Sequence, residues 1–160
     1  MQLSMTPRTM TRSFRALVIG LTVAVSLAGL LASSPANAKG GAFCKDYIKL
    51  STDKGLATAM SSLSDQTLIQ KDPKKAKANI HKVTIAFRDL QKNAPAKVKP
   101  DLIAVEKFFS GAEVMVDKVA KAATDPKGAL DAATAMSKSL PKLNTAITNL
   151  TKYTATECGV

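Results

Sequence analysis

The chain of 160 residues contains only two cysteines, Cys44 and Cys158. Two cysteines can form only one intramolecular pair. Such a bridge would close nearly the whole chain after Cys44 into one loop and would place the first structural element beside the last. An up-and-down bundle with an even number of helices meets this requirement, whereas a bundle with an odd number does not.

Residues 1–38 have the pattern of a secretory signal peptide. Three arginines precede the uncharged run ALVIGLTVAVSLAGLL, and the tripeptide Ala-Asn-Ala follows at residues 36–38. A basic start, a short apolar run and a small-x-small site are typical of this signal. We expect cleavage after Ala38. Because no two arginines are adjacent, we expect a Sec-type route rather than the twin-arginine route. An uncleaved membrane anchor is the alternative, although a span needs about 20 apolar residues.

Export predicts a secreted or cell-envelope location, where cysteines are oxidised. We therefore predict a Cys44–Cys158 disulfide. Two free thiols or an intermolecular bridge are the alternatives. The segment 39–160 is long enough for a single domain with a modest core. It carries 20 lysines and arginines against 12 acids, a net charge of +8, and it contains no tryptophan. A lysine-rich, aromatic-poor composition favours a helical domain over a β-sandwich.

The apolar periodicity predicts four helices, and the fold class is an all-α, four-helix up-and-down bundle closed by one terminal disulfide. The predicted helices are 43–63, 73–93, 100–123 and a fourth that starts near 124–127 and whose apolar stripe extends to Cys158. Asp72 and Asp125 precede prolines and are expected helix caps.

Two positions should disturb these helices. The apolar side of the first helix switches at Asp53-Lys54-Gly55, which predicts a break or bend there. Pro141 should kink the fourth helix because proline lacks the backbone donor, and two shorter helices are the alternative. Residues 64–70 are interpreted as a connection.

Catalytic chemistry has little support in the sequence. His81 is the only histidine, and it falls on the solvent side of its helix. Glu106, Glu113 and Asp117 edge a core face, where a solvated rim is the simpler interpretation. Arg88 is the single arginine of residues 39–160, which argues against recognition of carboxylate substrates. We predict no enzyme activity, no metal site and no cofactor, with an enzyme of unknown class kept as an alternative.

Lysines cluster where a bundle would bring one set of helix ends together, and an anion could bind there beside exposed helix-start amides. We name six of them the pole lysines, with Lys118 nearby. The pole lysines are Lys71, Lys74, Lys75, Lys77, Lys121 and Lys127. Lys92, Lys97 and Lys99 lie at the opposite end. The prediction is a non-enzymatic protein that contacts an anionic envelope polymer, a lipid surface or a partner protein. A merely solubilising surface is the simpler interpretation. Nucleic acid is not expected as a partner, because the pattern lacks the aromatic or arginine side chains that recognise bases.

A carrier of a small apolar ligand, such as a lipid or haem-like molecule, is the alternative function, since ligands can bind between helices. Five residues would line its cavity: Met60, Phe87, Phe108, Met115 and Met136. The simpler interpretation is that these side chains form the core. Three aliphatic residues outside the main stripes, Ile85, Ile103 and Val114, are either scattered surface residues or a partner face.

Overall fold

The structure is a computed structural model, and it describes residues 41–62 and 66–160. The signal-peptide prediction for residues 1–38 therefore lies outside the described residues. Within them every regular element is helical and no strand occurs. The six α-helices are α1 Gly41–Ser51, α2 Lys54–Ser62, α3 Gln66–Lys71, α4 Pro73–Leu90, α5 Lys99–Ala120 and α6 Pro126–Tyr153.

The predicted first helix is broken into α1 and α2, as the switch in its apolar side indicated. The Asp53 carboxylate accepts a hydrogen bond from the Leu56 amide at 3.0 Å and so caps the start of α2. At the end of α1 the Thr52 hydroxyl donates to the Ile48 carbonyl at 3.0 Å. The break therefore results from side chains that compete for backbone hydrogen bonds.

The segment between α2 and α4 was expected to be a connection, and that prediction is wrong in part. Residues Gln66–Lys71 form the short helix α3. The described chain consequently has six α-helices rather than four, so the four-helix count is not confirmed.

The starts of α4 and α6 follow the predicted capping pattern. Asp72 accepts from the Lys75 amide at 3.0 Å, and Asp125 accepts from the Gly128 amide at 2.8 Å. In each helix a proline occupies the first turn, where no amide donor is needed. These two predicted helix starts are confirmed.

Pro141 lies inside α6 without dividing it. The helix runs without interruption from Pro126 to Tyr153, so the alternative of two shorter helices is wrong. Thr145 donates its hydroxyl to the Pro141 carbonyl at 3.1 Å. A π-helical turn, Thr154–Cys158, then continues the helix to the second cysteine. At its end Gly159 adopts a left-handed conformation with φ of 70°, which favours glycine.

Helix α5 packs against both α4 and α6, and α1, α2 and α3 each pack against α4. Hydrogen bonds tie the helix ends together. Asn93 donates to Asp46 of α1 at 2.7 Å, and Asn149 of α6 donates to Asp101 of α5 at 3.1 Å. At the other end Lys77 of α4 pairs with Asp117 of α5. Successive long helices therefore run antiparallel.

One apolar core joins all of these helices. Its contributors are small or aliphatic residues and a few aromatic rings, and they follow the stripes expected for α4, α5 and α6. Its largest fully buried apolar side chains are Phe43, Val83, Val98, Leu102, Val105 and Val116.

The predicted disulfide between Cys44 and Cys158 is confirmed. Their Cα atoms lie 5.3 Å apart, and both residues are buried. Phe43 packs edge-on against Tyr153 beside the bridge, with ring centroids 5.8 Å apart. The bridge thus fastens the start of α1 to the end of the α6 region.

Replacing both cysteines by alanine should strongly destabilise the fold. The bridge spans a sequence separation of 114, for which the chain-entropy model gives about 4–5 kcal/mol. Urea denaturation of the wild-type and C44A/C158A proteins measures the difference. Reduction of the wild-type protein should lower stability by a similar amount, whereas the variant should not respond to reductant. A loss below about 1 kcal/mol would contradict the role assigned to the bridge.

Tyr47 makes stability sensitive to alkaline pH. Burial raises the pKa of its phenol, and a hydrogen bond with Thr154 opposes that shift. Because the folded state prefers the neutral phenol, its contribution is complete below the ordinary pKa of about 10 and is lost as the pH rises through the raised value. Tyr47→Phe should flatten the decline of thermal stability at alkaline pH relative to wild type. The lysines titrate in both proteins, so parallel curves would contradict this assignment.

Candidate functional site

A row of polar contacts crosses from α4 to α5, and we name it the α4–α5 ladder. It consists of the ion pairs Lys77–Asp117 and Arg88–Glu106 and the contact of His81 with Glu113. The Arg88 guanidinium donates to Glu106 at 2.7 Å, and His81 Nδ1 lies 3.1 Å from Glu113 Oε2. Thr84, which is buried, donates to Glu113 Oε1 at 2.7 Å.

The two glutamates of the ladder are largely withdrawn from water. The side chains of Glu106 and Glu113 are only 17% and 16% exposed, whereas the His81 side chain is 55% exposed. A hydrogen bond to Glu106 and the charge of that carboxylate raise the pKa of Arg88. Glu106 accepts from Arg88, and Glu113 is shared by His81 and Thr84, so both glutamates hold α4 to α5.

His81 is exposed, as its position on the helix predicted. Sequence reasoning missed its contact with Glu113 and treated the acids as a solvated rim. Mirrored spacings could have revealed the ladder. Positions 77, 81 and 88 are separated by four and seven residues, and positions 106, 113 and 117 by seven and four. Two antiparallel helices bring such mirrored sets into register.

The ladder has the charge pattern of a structural contact. Each of its acids is engaged by a partner on α4, so these contacts join the two helices. Among the described residues no group of three or more histidine, cysteine or acidic side chains is arranged to hold a metal ion.

The structure places the pole lysines around one end of the long helices. Lys71 ends α3, and Lys74, Lys75 and Lys77 occupy the first turns of α4. The Lys77–Asp117 pair brings this start of α4 beside the end of α5. Lys121 immediately follows α5, and Lys127 lies in the first turn of α6.

Several of these lysines are engaged by nearby acids. Besides Lys77, Lys127 pairs with Asp131 at 2.7 Å, and the neighbouring Lys118 lies 3.7 Å from Asp125. The hydrogen bond to Asp131 raises the pKa of Lys127. The remaining pole lysines form no ion pair with a described carboxylate. These are Lys71, Lys74, Lys75 and Lys121.

Capping changes how an anion would bind at this end. The Asp72 and Asp125 carboxylates already accept hydrogen bonds from the amides of Lys75 and Gly128. The expected use of exposed helix-start amides is therefore wrong for these two donors. Two helix-start donors are thus already engaged, and the unpaired lysine side chains at this end remain available to an anion.

At the opposite end Lys92 pairs with Asp89 at 2.7 Å. Lys97 and Lys99 are exposed and form no ion pair with a described carboxylate. The two ends of the helices therefore both carry unpaired lysines.

The residues proposed to line an apolar cavity belong to the core. Phe87 stacks on Phe109 with ring centroids 5.9 Å apart, and Phe108 meets Phe109 edge-on at 5.6 Å. Met136 is buried, while Met60 and Met115 are partly buried against the same cluster. These contacts favour a core role for these side chains, and the carrier function stays an alternative hypothesis.

No helix in the described part of the chain combines the length and the apolar character that a membrane span requires. No protein-family model, no curated protein and no solved structure matches this chain. The functional conclusion consequently rests on the physical chemistry of the surface.

Removing the shared carboxylate of the ladder should destabilise the fold without disrupting the core. We expect Glu113→Ala to lower the free energy of unfolding by about 1–3 kcal/mol, since Thr84 and His81 both lose a charged partner. Asp89→Ala is the matched control, because its carboxylate pairs only with Lys92 on the exposed surface, and it should cost about 0.5 kcal/mol or less. Equal losses in urea denaturation would contradict the role of Glu113.

Proposed function

We propose that this protein is a non-enzymatic, extracytoplasmic helical protein that binds an anionic partner through its lysine-rich surface. The observation that carries the proposal is that nearly all of the described acids have a bonding partner, whereas most of the described lysines do not. Among the described residues every carboxylate except that of Glu157 has a hydrogen-bond or ion-pair partner. Of the lysines in residues 41–62 and 66–160, four pair with a carboxylate of the same ranges, namely Lys77, Lys92, Lys118 and Lys127.

Most of the acids are therefore engaged in helix caps or contacts with neighbouring side chains, whereas most of the lysines remain available at the surface. Unpaired surface lysines attract anions over a distance of roughly 8 Å at physiological salt. A site of this kind needs no cleft, because the contacts form on exposed side chains. This supports binding to an extended anionic partner more than binding to a small substrate.

The proposed location is the cell envelope or the extracellular medium, reached by cleavage of the signal peptide after Ala38. Two features support it. One is the pattern of residues 1–38. The other is the buried Cys44–Cys158 disulfide, since structural disulfides persist in oxidising compartments.

The proposed architecture is a four-rod up-and-down bundle in which α1 and α2 act as one bent rod beside α4, α5 and α6. Contacts at both ends of the helices support this grouping. They are Asp46 with Asn93, Lys77 with Asp117 and Asn149 with Asp101, together with the disulfide. In this arrangement the lysines point outward on every rod.

Binding to an anionic polymer should weaken steeply as salt rises. The protein is recovered from a secreting bacterial host, where a chain starting at Lys39 is the expected product, and is titrated with polyphosphate and dextran sulfate at increasing sodium chloride. Neutral dextran is the control and should not bind. The proposal fails if neither polyanion binds at low salt, or if affinity is independent of salt.

A further inference from the structure

Two contacts fix how α5 and α6 lie against each other. Asn149 donates to Asp101 near one end. Near the middle Gly111 lies so close to α6 that a Cβ atom added to it would come within 3.3 Å of the Met136 sulfur. Because the helices are antiparallel, position numbers increase along α5 as they decrease along α6. Position 107 is therefore approximately level with position 142.

Three exposed lysines lie along this junction. Lys107 precedes Gly111 by four residues, so it lies one turn away on the same flank of α5 and is turned further toward solvent. Lys142 and Lys138 precede Asn149 by seven and eleven residues, which puts them on the stripe of α6 next to α5. All three lysines are exposed.

The expected separations within this group are short. Lys138 and Lys142 are one helical turn apart, a rise of about 6 Å. Packed helix axes lie about 8–10 Å apart, which sets the distance from Lys107 to the other two stems. The three charges therefore fall within roughly one to two screening lengths of each other at physiological salt, and their fields add.

None of these three lysines forms an ion pair with a described carboxylate. The sequence has no acid between Asp131 and Glu157. On α5, Glu106 and Glu113 are engaged by α4 in the ladder, and Asp101 accepts a hydrogen bond from Asn149. At the pole, by contrast, two of the six lysines are paired directly with acids, Lys77 with Asp117 and Lys127 with Asp131.

We propose that Lys107, Lys138 and Lys142, which we name the α5–α6 patch, form the principal binding surface for a flexible linear polyanion that carries phosphate groups. This proposal rests on the proposed function and specifies its site and ligand chemistry. Lysine offers a compact point charge that suits phosphate oxygens, whereas planar carboxylates are better matched by the arginine fork. The patch contains no arginine.

A polymer fits this surface better than a membrane does. Helices that bind at a bilayer surface combine basic residues with a large apolar face, often with aromatic anchors. Every aromatic side chain among the described residues is buried or partly buried. The large apolar residues exposed in the same part of the chain are Ile85, Val114 and Leu130, one on each long helix. The patch supplies charge without an apolar anchor.

Two charge-matched variants test the location of the site. K107Q/K138Q/K142Q removes the α5–α6 patch, and K71Q/K74Q/K75Q removes three unpaired pole lysines and the same net charge. Both are titrated with long-chain polyphosphate by isothermal calorimetry at several salt concentrations. Unchanged circular dichroism and melting temperature are expected, because all six side chains are exposed.

The patch variant should bind on the order of tenfold or more weaker than wild type. The slope of log affinity against log salt should fall by about 2, since each lysine–phosphate contact on a single strand contributes about 0.7. The pole variant should lose no more than about threefold. Inorganic phosphate should bind neither protein measurably, because a single group cannot engage the three lysines together.

Distinct results separate the two proposals. An equal or larger loss in the pole variant overturns the α5–α6 patch and leaves the proposed function standing. Failure of the wild-type protein to bind polyphosphate or dextran sulfate overturns both. Tighter binding to phosphatidylglycerol vesicles than to polyphosphate, or inorganic phosphate binding as tightly as the polymer, overturns the assignment of a linear polyanion.

Discussion

The covalent link between Cys44 and Cys158 is the constraint on which the arrangement of the helices depends. Helix α1 has only 11 residues, and isolated helices of this length are marginal in water. Its buried face consists of Phe43, Cys44 and Tyr47, so the bridge and two aromatic rings attach it to the rest of the core. Helix α6 extends through a π-helical turn to reach the bridge, which places the end of this helix region beside α1.

The acidic and the basic side chains have different roles in this structure. Aspartates cap α2, α4 and α6, and the carboxylates of α5 hold α4 through the α4–α5 ladder. Because the acids are committed to these contacts, the lysines determine the electrostatic character of the surface. For the proposed binding of an anion, the relevant quantity is the local density of lysines that have no ion-pair partner.

The sequence predicted features that arise from local chemistry. The Asp-Pro starts of α4 and α6, the break at Asp53 and the single possible disulfide all follow from neighbouring residues or from elimination. It did not predict α3, whose six residues carry too few periodic positions to be distinguished from a connection. The ladder and the proposed α5–α6 patch were also not predicted, because both depend on the register between helices. Two side-chain contacts, Lys77–Asp117 and Asn149–Asp101, supply that register.

Because sulfur atoms join the two ends of the helical region, a protease that cuts once in a loop does not release a fragment. A cut at residues 94–98, between α4 and α5, would yield two pieces that migrate as one species until a reductant is added. Each piece would keep its partner at high effective concentration. A protein built in this way can remain assembled after a single cut, and non-reducing electrophoresis of digested material would show it as an intact band.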